Sequence, residues 1–128
     1  MQAPGDVAVG YSNLNGAVFN LLRDDLGTIK DRLTLNYESA FTRGVVEGEY
    51  TVNLHLFRLG DGTLPIPVTV VVSSRPEGGY NSRIFSTDVL LRFVDEEVTV
   101  VRFALDEDGT LVPGSINNGF RALRIAGK

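Results

Sequence analysis

Apolar and polar residues alternate most regularly from Glu49 to Arg58. Tyr50, Val52, Leu54 and Leu56 share one phase, and Thr51, Asn53 and His55 the other. A period of two is the mark of a half-buried antiparallel strand. Leu59-Gly60-Asp61-Gly62-Thr63 then reads as a turn, because Asp-Gly and closely spaced glycines reach positive φ at little cost. Pro65 and Pro67 mark a strand entrance or an edge, since proline cannot donate to a ladder. Val68 to Ser73 continues as a strand, and the short connection predicts that it pairs with 49–58 as a hairpin.

A second hairpin is expected downstream, after an Arg75–Gly79 loop. Arg83 to Val94 places Phe85, Val89, Leu91 and Phe93 on one face and Ser86, Asp88 and Arg92 on the other. Asp95-Glu96-Glu97 turns the chain, and Val98 to Leu105 returns with Val101, Phe103 and Leu105 inward. A tight turn at Asp106–Thr110, a short strand at Leu111-Val112 and a late pairing of Phe120–Ile125 complete the second half. In the first third, Val7, Val9 and Tyr11 alternate and Asn13–Gly16 turns. Val18–Leu26 is read as a strand in preference to a short helix running from an Asn15 cap to Gly27. Leu33–Tyr37 and Phe41–Val46 add two more strands.

The expected fold is therefore all-β. Eight or nine short strands at about ten-residue intervals suggest an antiparallel β-sandwich of the immunoglobulin-like or prealbumin-like kind. Its expected core is Tyr50, Val52, Leu54, Leu56, Val70, Phe85, Leu91, Val101 and Phe103. Composition agrees with this: valine, isoleucine and threonine supply 30 of 128 residues, and 14 glycines punctuate them. The length suits one domain, residues 1–128, with no repeat or linker to divide it.

Charge and chemistry narrow the functions. Ten arginines and two lysines are scattered among sixteen acids, giving a net charge of −4 without a basic stripe, so nucleic acid is not an expected partner. Cysteine is absent, which removes disulfides, thiolate catalysis and zinc–thiolate sites. The first residues show neither a charged n-region nor an apolar h-region, and no run of about 18 apolar residues predicts a membrane span. The single histidine, His55, sits on the polar phase of its strand with no nucleophile motif beside it, and is expected to be dispensable. No catalytic residue and no phosphate-binding loop is assigned. A glycosidase pair of carboxylates would need an aromatic-lined cleft, and the chain has no tryptophan.

Calcium is the one cofactor that the residues suggest. Asp106-Glu107-Asp108-Gly109 resembles the opening of a calcium loop, since close-set carboxylates beside a turn glycine suit a hard cation. The closing acid about ten residues later is missing, because Ile116 and Asn117 stand there. Asp24, Asp25 and Glu38 form a second candidate group if neighbouring strands bring them together.

The run Gly48-Glu49-Tyr50-Thr51-Val52-Asn53-Leu54-His55-Leu56-Phe57, followed by Pro67-Val68-Thr69-Val70-Val71-Val72, resembles uncharacterised bacterial β-sandwich domains of the DUF2135 type. Ala3-Pro4-Gly5-Asp6 with Tyr11-Ser12-Asn13, Arg23–Gly27 and Asn36–Glu38 fit the same pattern, so the likeness covers about residues 3–74. It implies a small sandwich in an envelope or extracellular setting and carries no activity with it. Such domains have a D-x-D-L-x-V strand before the proline-glycine turn, where Met1-Gln2 stands here. A sheet lacking that strand would leave an edge near Val7–Tyr11, with Asp6 the only charge before Arg23. Self-association through the N-terminal region is expected on that ground.

The expected function is a non-enzymatic protein-binding or structural module. The alternatives are a subunit of a fibre or virion-like assembly, and a carbohydrate- or calcium-binding accessory domain.

Overall fold

The computed structural model describes residues 1–9, 16–17, 19–23, 39–42, 44–57, 63–74 and 82–123. These are all-β and contain no helix. The strands are β1 (Phe19–Arg23), β2 (Ser39–Thr42), β3 (Gly48–His55), β4 (Ile66–Ser74), β5 (Ser82–Leu91) and β6 (Glu97–Leu105). They pair antiparallel as β1–β2, β3–β6 and β4–β5. The strand expected within 18–26 is present as β1, whereas 41–46 yields only the short β2. Leu33–Tyr37 lies outside the described residues.

Both expected hairpins are corrected by this pairing. β3 joins β6, with Tyr50 opposite Phe103 and Val52 opposite Val101, and β4 joins β5, with Val70 opposite Thr87. The reason lies in which strands are covered on both sides. β6 is apolar at six of its nine positions, and Val100, Val101, Phe103 and Leu105 are all buried. β3 likewise buries three consecutive residues, Tyr50, Thr51 and Val52. Two strands buried on both faces belong side by side, since each then hides the other's backbone from water. β4 instead alternates half-buried with exposed positions along its whole length, as a strand covered on one face does.

Ala3, Tyr50, Val52, Val101, Phe103 and Leu105 form the core, and Val70, Val72, Ile84 and Phe85 of the β4–β5 hairpin pack on it. Tyr50 stacks on Phe103 at 5.4 Å between centroids. Its hydroxyl donates to Val46 O at 2.7 Å and accepts Val46 N–H at 2.9 Å, so a tyrosine buries its ring without stranding its polar tip. Leu56 and Leu91 are buried as expected, whereas Leu54 is only half-buried. Leu54 pairs with Val98, just past a bulge at which Val100 is the extra residue and the register slips from Val52–Val101 to Asn53–Thr99. Phe93, expected inside, lies past the end of β5 and is 52% exposed.

The outer edges of the β3–β6 pair are engaged by the two ends of the described chain. Gln2 and Thr51 exchange N–H···O bonds of 2.9 Å at the β3 edge. Arg102 and Asn117 do the same at the β6 edge, at 2.6 and 2.9 Å. Residues 7–9 are not a strand; Met1 and Val9 exchange hydrogen bonds, and Ala8 and Val9 are buried. Leu111 contributes a single bridge to Leu105 instead of a strand. The tail to residue 123 makes no ladder and is held by side chains, as follows.

Candidate functional site

The polar groups gather where the chain passes from β5 to β6. Strands joined by only five residues, Arg92–Glu96, commonly pair with each other, yet these two enter different sheets. The turn is bound to the end of β3 instead: Asp95 N–H donates to Leu56 O at 2.6 Å, and Leu56 N–H to Glu96 O at 3.0 Å. Asp95 takes a left-handed φ of 74°, a conformation that aspartate tolerates better than most residues.

Each acid of Asp95-Glu96-Glu97 has its own task. Glu96 is 4% exposed and accepts the Arg92 backbone N–H at 2.7 Å and its guanidinium at 2.6 and 3.0 Å. The hydrogen bond from the Arg92 side chain holds the Glu96 carboxyl below its ordinary value, and that from the Arg92 backbone adds to the effect. The same side-chain bond raises Arg92. Asp95 Oδ1 lies 2.9 Å from His55 Nε2. Glu97 Oε2 accepts Asn53 Nδ2–H at 2.8 Å and Leu123 N–H at 2.9 Å.

Asn53 Nδ2 also donates to Arg121 O, and Arg121 N–H donates to Thr99 Oγ1 at 2.9 Å. Residues 121–123 are thereby laid across the polar face of β3–β6. Nearer the other end of that face, Arg102 Nε donates to Glu49 at 2.9 Å, with Arg121 at 3.6 Å from the same carboxylate. The acidic run that reads as a solvent-facing turn is thus a junction between sheets.

His55 has a partner that sequence spacing did not show, since Asp95 lies forty residues away. A carboxylate can orient an imidazole for base chemistry, but that chemistry also needs a group to deprotonate. Phe57 lies edge-on to the ring at 6.4 Å and offers no such proton.

Asp106 and Asp108 sit in the β6 exit turn. Asp106 Oδ1 accepts the backbone N–H groups of Asp108 and Thr110, each at 2.9 Å, and Gly109 takes φ 80°. This is an aspartate closing its own turn. Asp24, Asp25 and Glu38 lie outside the described residues. Among the described residues no three histidine or acidic side chains gather as a metal-binding group.

A groove of 420 Å³ runs between β5 and β6, lined by Phe85, Val89, Val98 and Val100 with Ile116 and Asn117 at its margin. Compared with protein-family models, curated proteins and solved structures, the chain matches none.

Proposed function

We propose that the chain is a non-enzymatic structural or protein-binding module built as a β-sandwich. The observation that carries this reading is the use made of its carboxylates. Glu49, Asp95, Glu96, Glu97 and Asp106 each hold a backbone N–H group or another side chain of the same chain. A catalytic or metal-binding carboxylate is directed at an outside ligand, whereas each of these turns at least one oxygen on the fold, and Glu96 turns both. The packing of the β4–β5 hairpin on the β3–β6 core supports two layers, as a sandwich requires. The likeness of residues 3–74 to DUF2135-type domains supplies the envelope or extracellular setting.

The test sets this reading against a calcium-binding accessory domain. Thermal unfolding is followed with and without calcium for the wild type and for Asp106→Asn, which keeps the turn-closing oxygen and removes the charge. The module reading expects no calcium response in either protein. Saturating calcium at a hundred times its dissociation constant would add about 2.7 kcal/mol. Such a gain, lost in Asp106→Asn, would overturn the reading.

A further inference from the structure

Edges are where a β protein meets other chains, because an unpaired strand presents a row of N–H and C=O groups. The outer edge of β3 is met by Gln2 and that of β6 by Leu111 and Asn117. β5 faces β6 across the groove already described. Among the described residues β1, β2, β4 and β5 each pair with one strand and with no strand or bridge on the other side, and β4 is the longest of them without a charged residue.

Its sequence is unusually undefended. No charged residue occurs from Gly62 to Ser74, and Val68-Thr69-Val70-Val71-Val72 combines high β propensity with neutrality. Pro67 lacks an N–H and ends any added ladder on that side, a usual guard for one end of an edge strand. The remaining seven residues, 68–74, have no such guard. Thr69, Val71 and Ser73 point away from the core, and Val71 is 52% exposed.

We propose that β4 pairs antiparallel with β4 of a second copy of this chain, about a two-fold axis at Val71. The segment is self-complementary in that register. Val71 meets its own counterpart, Val70 meets Val72, and Thr69 meets Ser73. The ladder 68–74 contains no charged residue, so no like charges face each other within it. The two hairpins become one four-stranded sheet, β5–β4–β4–β5. This deepens the structural-module reading by naming the contact, and it places that contact away from the N-terminal segment, where Val9 is already buried.

The test is sedimentation velocity over a concentration series for the wild type, Val71→Lys and Val71→Glu, with thermal unfolding as a control for folding. The wild type is expected to become dimeric as concentration rises. Each variant should be monomeric and folded, because Val71 points outward, and mixing the two should restore the dimer through opposite charges at the axis. Amides of 68–74 should gain hydrogen-exchange protection with wild-type concentration. A wild type that stays monomeric at high micromolar concentration overturns the proposal. So does association that survives both Val71 changes, or association that only Val7→Lys abolishes, which would assign the contact to the N-terminal region. A calcium response would sink the module reading without touching this result.

Discussion

Thr51→Val is expected to stabilise the protein, although threonine sits on the nominally polar phase of β3. Thr51 is fully buried, and its Oγ1 has no hydrogen-bond partner in the fold. A buried hydroxyl left unmatched costs about 1–3 kcal/mol. Valine has nearly the same shape and replaces that oxygen with a methyl, adding roughly 0.8 kcal/mol of apolar burial. The two N–H···O bonds to Gln2 come from the backbone and survive the change. The net gain should be about 1–2 kcal/mol, read as a rise in urea midpoint at unchanged m-value and as several degrees in Tm. Thr51→Ser separates the two contributions. It keeps the unmatched hydroxyl and removes the methyl, so it should lose about 1 kcal/mol through the small cavity it leaves. If Thr51→Val is instead less stable by a kcal/mol or more, the hydroxyl has a partner in solution and the reasoning fails.

Three further outcomes follow from the same structure. Gly48→Ala should cost about 1–3 kcal/mol, since alanine disfavours φ of 130° and its Cβ would lie 2.8 Å from the Pro4 ring; chemical denaturation measures it, and a neutral result would place Pro4 elsewhere. Leu56→Ala should cost about 2–5 kcal/mol and the half-buried Leu54→Ala less, so denaturation curves showing the reverse order would reject the bulge beside Leu54. Glu96→Gln should be less stable than the wild type at neutral pH. The folded-state value of Glu96 is depressed, so its contribution is complete above the ordinary glutamate value and disappears as pH falls through the depressed one. Denaturation across the acid range should show the gap between the two proteins closing, and a gap independent of pH would mean that the Glu96 charge is not what holds the turn.

Periodicity made strand existence legible, and it made most of the core legible too. The phase of Tyr50, Val52 and Leu56, and that of Val101, Phe103 and Leu105, follows from alternation alone, because one face of each strand must leave water. Pairing was not legible by the same means. Short connections favoured two successive hairpins, but coverage of both faces of β3 and β6 outweighed loop length. The difference shows in burial and not in composition, since β4 carries Val70, Val71 and Val72 in a row yet alternates in exposure, while β6 is interrupted by Thr99 and Arg102 yet buries Val100 and Val101 together. The His55–Asp95 pair was hidden for a related reason. Its residues meet only because β3 and β6 are neighbours, so a wrong pairing separates them.

The junction at 92–96 explains how a short turn overrides the local preference for a hairpin. The turn gives Leu56 two backbone bonds at the end of β3, and within the turn Arg92 satisfies both Glu96 carboxylate oxygens. A buried carboxylate is costly unless such bonds are present, so the glutamate holds the turn in the shape that docks on β3. With β6 paired to β3, β5 pairs with β4 alone among the described residues, and there β4 has no strand on its other side. The neutral edge of β4 at Val68–Ser74 follows from the pairing of β3 with β6, and changes at the junction should reach association through β4 only by way of the fold. Glu96→Gln at neutral pH should weaken the dimer only as far as it weakens the fold, whereas Val71→Lys should lose the dimer alone.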